Sequence, residues 1–108
     1  MARQALALSA EFRGPLEEGA SHRVLGQIHA AMGHKAEADT AFRRSLEVLE
    51  AIQSRPELGQ TLLAYGLFRQ CDDAVEGRAM IERALALFEE MGATGWIAEA
   101  RAALASLV

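Results

Sequence analysis

The sequence is poor in several things, and each shortage excludes something. It has one cysteine, Cys71, so no internal disulfide forms and no cysteine-based zinc site can be built. Aromatic residues are only 6% of the chain, so a core must be made from Ala, Leu, Ile, Val and Met. Two prolines and few β-branched residues favour helix over sheet. No apolar run approaches the length of a membrane span. The opening residues, Met-Ala-Arg-Gln-Ala-Leu-Ala-Leu, lack the layout of a signal peptide. A soluble, cytoplasmic protein is expected. There is no surplus of positive charge: the net charge is −4, which argues against a nucleic-acid binder. Neither a Gly-x-Gly-x-x-Gly nor a Gly-Lys-Ser/Thr phosphate loop occurs. What remains is a chain of 108 residues, 51% hydrophobic, which is the size of one small ordered domain.

Internal repetition is the strongest positive signal. Ala5-Leu6-Ala7-Leu8 recurs as Ser45-Leu46-Glu47-Val48 and as Ala84-Leu85-Ala86-Leu87, at offsets of 40 and 39 residues. In the same register a large apolar residue follows (Phe12, Ile52, Met91), then a small one (Gly19, Gly59, Ala98). A large–small pair closes the pattern: Leu25-Gly26, Tyr65-Gly66 and Leu104-Ala105. Each unit reads as two helices. Helix 17–32 carries Ala20, Val24, Leu25, Ile28 and Met32 at helical spacing, and helix 36–53 carries Ala38, Ala41, Phe42, Leu46, Leu49 and Ile52. Helices 57–70 and 74–91 repeat the layout. A last helix, 95–107, carries Trp96, Ile97, Ala100, Leu104 and Leu107, with Thr94 as its expected cap. Gly33-His34 and Cys71-Asp72-Asp73 read as turns, and Pro15 and Pro56 each stand just before a new helix.

These residues resemble the tetratricopeptide (TPR) repeat. A first full repeat from Gly19 supplies His22, Leu25-Gly26, His29, Ala38, Phe42 and Ser45 at the pattern's positions. His22 departs from it, standing where a large apolar residue is usual. A second repeat from Gly59 supplies Leu62, Tyr65-Gly66 and Arg69, then Gly77, Ile81 and Ala84 after a turn one residue shorter. A third supplies only Arg101, Leu104-Ala105 and Val108, and residues 1–13 look like the second helix of an earlier repeat. The resemblance implies an all-α, right-handed superhelical array of antiparallel helix pairs forming a single domain. Its parts are a half repeat at 1–13, repeats at 17–53 and 57–91, and a capping helix or half repeat at 95–107. The period near 40, longer than the usual 34 or so, is similar to the C-terminal repeats of large bacterial signalling proteins. Those proteins join an ATPase core to a cyclase or a DNA-binding domain. The phrase from Arg83 to Ala93 is typical of them, and ten Arg against one Lys suits a GC-rich bacterial genome.

By the same resemblance, the first helix of each repeat lines a concave groove. Ala20, Arg23, Gln27 and Ala30 fall there in one repeat, and Gln60, Leu63, Leu67 and Gln70 in the next. Such a surface suits a peptide or a helix. The last helix offers a second surface, with Trp96, Ile97, Leu104 and Leu107 as candidates for self-association into a homodimer. The apolar first segment, with Ala5, Leu6, Leu8 and Phe12, is its counterpart at the other end.

Chemistry-bearing residues are sparse and poorly placed for catalysis. His22 and His29 share one helix face seven residues apart, which suits packing better than the i, i+3 or i, i+4 spacing of metal ligands. A small metal- or ligand-binding helical domain using His22 and His29 is the alternative reading. His34 is expected to be solvated. Cys71 sits beside two carboxylates, which disfavour a thiolate. Glu17-Glu18, Asp72-Asp73 and Glu89-Glu90 fall at helix ends or turns, not across a cleft. Glu17-Glu18 suits the positive end of a helix dipole. Arg43-Arg44 is expected to pair with Glu47 and Glu50 one turn on. The sequence therefore predicts a non-enzymatic interaction scaffold without a cofactor. Its partner would be a protein, a peptide or other domains of a parent chain, not a nucleic acid or a membrane.

Overall fold

The computed structural model describes residues 14–107, and these are helical throughout apart from short turns. The helices are α1 (Pro15–Ala31), α2 (Lys35–Ala51), α3 (Arg55–Arg69), α4 (Ala74–Met91) and α5 (Thr94–Ser106). No strand occurs among the described residues, and no helix there is long and apolar enough to cross a membrane. The expected half repeat 1–13, with Ala5, Leu6, Leu8 and Phe12, lies outside the described residues, as does Val108.

Helix limits follow from local chemistry. Pro15 is the first residue of α1 and Pro56 the second of α3, so both stand inside the first turn instead of before it. A missing N–H costs nothing there. Glu17 and Glu18 occupy the first turn of α1. Asp73 caps α4 by accepting the Glu76 N–H at 3.0 Å. Thr94 does not cap α5: Ala93 is the cap residue and Thr94 is already helical. Three helices end in one motif. After α1, Gly33 takes φ 78°, and His34 N–H returns to the His29 carbonyl at 2.9 Å. After α2, Gln53 takes φ 55° and Ser54 N–H returns to Leu49 at 3.1 Å. After α4, Gly92 takes φ 67° and Ala93 N–H returns to Phe88 at 3.0 Å. This six-to-one bond across a left-handed residue satisfies a carbonyl that the helix end would leave bare.

Packing repeats in the register of the sequence. Helices α1 and α2 form one hairpin, α3 and α4 another. Helix α3 also touches α1, α2 and α5. A Cβ on Gly19 would stand 2.5 Å from Leu49 Cδ2, and one on Gly59 would stand 2.6 Å from Phe88 Cε1. Likewise Gly26 faces the Phe42 ring and Gly66 faces Ile81. Each hairpin thus closes by two glycine-to-large contacts, displaced by 40 residues on one helix and 39 on the other. The main core joins Leu49, Leu58, Leu62, Leu63, Ile81, Ala84, Phe88 and Ala100. A second cluster joins Ala38, Phe42 and Tyr65, with Phe42 stacked on Tyr65 at 5.1 Å between ring centres. One polar joint lies inside. Ser45 Oγ donates to the Gly19 carbonyl at 2.7 Å and meets Thr61 Oγ1 at 2.9 Å, so a buried hydroxyl pair links α1, α2 and α3.

Candidate functional site

The surface between α1 and α3 differs from the groove expected from the sequence. Arg23 Nη1 is bound to Glu57 Oε1 at 3.1 Å, both side chains largely covered, and Gln60 Nε2 also reaches Glu57 at 3.4 Å. Arg23 therefore bridges the two helices, and Gln60 supports Glu57 from within α3. Leu63 is 5% exposed and belongs to the main core, so it is a packing residue here. Ala20 is half-buried, and Ala30 packs against the Ala38–Phe42–Tyr65 cluster. Gln27 and Leu67 remain exposed, and Gln70 is half-buried at the end of α3 against Gly77. Of the expected groove residues, only Gln27 and Leu67 are exposed.

Several of the exposed large hydrophobics among the described residues gather on α1. Leu16 (41%), Val24 (48%), Ile28 (41%) and Met32 (59%) are all exposed large hydrophobics. Val24, Ile28 and Met32 follow one another at i+4 spacing, which puts them on one face. The sequence reading places Val24, Ile28 and Met32 in the apolar pattern of a core-facing helix. The structure turns them outward because α1 meets its neighbours through Gly19, His22 and Gly26, its three buried residues. The exposed stretch Val24, Gln27, Ile28, Ala31 and Met32 contains no charged residue. Forty residues later in the register stand Ala64 and Phe68, and α2 covers these through Ala38 and Phe42. Phe42 and Phe68 lie 5.6 Å apart between ring centres.

At the other end, Trp96 stacks on Phe88 at 5.6 Å and keeps part of its face open. Ile97, Leu104 and Leu107 are half-buried against the main core. Much of the surface expected for self-association is thus already used in seating α5.

The titratable groups sort by environment. His22 is buried, and burial lowers its pKa from the usual 6.5. Glu18 opposes that shift and Arg44 adds to it. Its Nδ1 has no hydrogen-bond partner. His29 lies about 10 Å further along the helix axis. There it meets His34 instead, the two Nδ1 atoms standing 3.4 Å apart. His34 is exposed, as expected, yet not isolated. Among the described residues, no group of three or more His, Cys, Asp or Glu is placed to hold a metal ion. Cys71 is exposed in its turn, beside an ion pair of Lys35 with Asp72 at 3.0 Å.

Two arrangements escape the sequence reading. Arg43 pairs backward with Asp39 at 2.9 Å instead of forward with Glu47, while Glu50 pairs across the hairpins with Arg83 at 3.4 Å. Tyr65 donates its hydroxyl to Asp39 and receives Arg43 Nε at 3.4 Å. Burial first, and then the bond to Asp39, raise the Tyr65 pKa above its usual 10.0. Only the i, i+4 spacing of Asp39 and Arg43 hints at this joint beforehand. No protein-family model, no curated protein and no solved structure matches the chain. Its functional reading therefore stands on its own geometry.

Proposed function

We propose that this chain is a non-catalytic protein–protein interaction module, built as a TPR-like array and serving as the scaffold part of a larger regulatory protein. Support for the array comes from the paired glycine contacts, which recur in the register of the repeat, and from the contacts of α3 with both α1 and α5. The observation that carries the binding role is the uncharged ladder on α1. Its register equivalents, Ala64 and Phe68, are covered by a helix, so the matching occupant of Val24 and Ile28 is the apolar face of another helix. Exposed contiguous apolar surface of this kind marks a contact site.

Helix α2 itself supplies the probe, since it covers the equivalent surface on α3. A peptide of residues 35–51, titrated into isotope-labelled protein, is expected to shift the resonances of Val24, Ile28 and Met32 by nuclear magnetic resonance. The double variant Val24→Glu, Ile28→Glu should abolish those shifts while keeping the remaining spectrum. Absence of any shift at high peptide concentration, or shifts that survive in the double variant, overturns the reading.

A further inference from the structure

We propose that His29 and His34 form a zinc-binding pair at the turn between α1 and α2. The backbone holds both rings in place. His29 contributes the carbonyl and His34 the N–H of the six-to-one bond that closes α1, and Gly33 at φ 78° makes the reversal. In this motif the two residues joined by that bond bring their side chains together, usually as an apolar contact. The other two copies in this chain place Leu49 with Ser54 and Phe88 with Ala93, and Leu49 and Phe88 are core residues. Here the same slots hold two imidazoles, and neither is part of the core.

Their spacing is that of a chelate. Zinc–nitrogen bonds of about 2.0–2.1 Å at a tetrahedral angle set two ligand nitrogens about 3.3–3.4 Å apart. The two Nδ1 atoms stand at 3.4 Å, with the ring planes inclined at 41°. With a proton on one Nδ1 the pair makes a long N–H···N hydrogen bond, and zinc must displace that proton to bind. A metal ion between them requires both rings neutral with their protons on Nε2, so that each Nδ1 presents a lone pair. Water completes the coordination. The adjacent cation, Lys35, is drawn toward Asp72 at 3.0 Å, which limits its repulsion of a bound metal. This site is independent of the α1 ladder and of the interaction role proposed above.

The test uses zinc chloride alone, followed by calorimetry and by the imidazole resonances. Zinc is expected to move the His29 and His34 ring signals together and to leave His22 unmoved. Binding should weaken as pH falls, because protons compete for the same lone pairs. His29→Gln and His34→Gln should each cost at least about tenfold in affinity, a scale reached by removing even an outer-shell partner of a zinc site. His22→Gln should leave it unchanged. Thermal melts of the variants confirm that each is folded, and the wild-type ring signals report on the site without any substitution. Unmoved ring signals at millimolar zinc, or equal affinities in the wild type and both single variants, overturn the proposal.

Discussion

Helix α1 buries Gly19, His22 and Gly26, whereas α3, in the same register of the repeat, buries Leu58, Gly59, Thr61, Leu62, Leu63, Tyr65 and Gly66. The glycines correspond, and both helices close onto a partner through them. The difference lies in the number of neighbours. Helix α3 is packed by α1, α2, α4 and α5, but among the described residues α1 meets only α2 and α3. In an array of hairpins a position gains its burial from the adjacent unit as much as from its own. A buried histidine, His22, stands on α1 where α3 carries Leu62, and Val24 and Ile28 are exposed where α3 places Ala64 and Phe68 against α2.

The contrast can be broken most severely at Phe88. Truncation of this fully buried ring by Phe88→Ala should cost about 3–5 kcal/mol in denaturant unfolding, a large share of a small domain's stability. The glycines give a matched pair. Gly59→Ala drives a methyl into the Phe88 ring inside the main core and should cost about 1–3 kcal/mol. Gly19→Ala drives a methyl against Cδ2 and Cγ of Leu49, a residue as fully buried as Phe88, and should cost about the same 1–3 kcal/mol; a clearly smaller loss would mean that the α1–α2 hairpin yields more readily.

His22 sharpens the comparison through pH. Its folded pKa lies below the unfolded 6.5, so the unfolded chain binds more protons near that value. The His22 contribution is fully present above pH 6.5 and is lost as pH falls toward the lowered folded value. His22→Leu, which installs the residue found at the α3 equivalent, should flatten stability between neutral and mildly acid pH. It also removes an unpartnered Nδ1 and should gain about 1 kcal/mol in urea unfolding. The smallest effect belongs to Val24→Ser, within about 0.5 kcal/mol by the same measurement, since an exposed side chain gives up little on substitution. A loss near that of a core valine would show the α1 ladder to be covered in solution.

The register of the fold was legible in the sequence because steric rules write it there. Close approach demands Gly19, Gly26, Gly59 and Gly66, and the large partners stand at fixed distances along the chain. Helix limits came within a few residues because Pro15, Gly33, Pro56 and Gly92 act locally. The surface was far less legible. That Arg23 turns to Glu57 and Leu63 inward depends on where a second helix lies, not on spacing within the first. Helical spacing alone groups His29 with His22 on one face. A reversal of the backbone at Gly33 brings it to His34 instead, and helical periodicity carries no information about contacts made past a helix end. The Tyr65–Asp39–Arg43 joint likewise joins two helices that periodicity treats separately.

The hydroxyl of Ser45, held by the Gly19 carbonyl and Thr61, has a consequence for motion. The apolar contacts resist sliding through shape, because each large side chain must meet its glycine. A hydroxyl sealed from water adds a chemical penalty, since displacement by one residue would strand it without a partner. Ser45 therefore acts as an index pin through three helices. A lengthwise slip of α2 past α1 and α3 would break both of its hydrogen bonds at once.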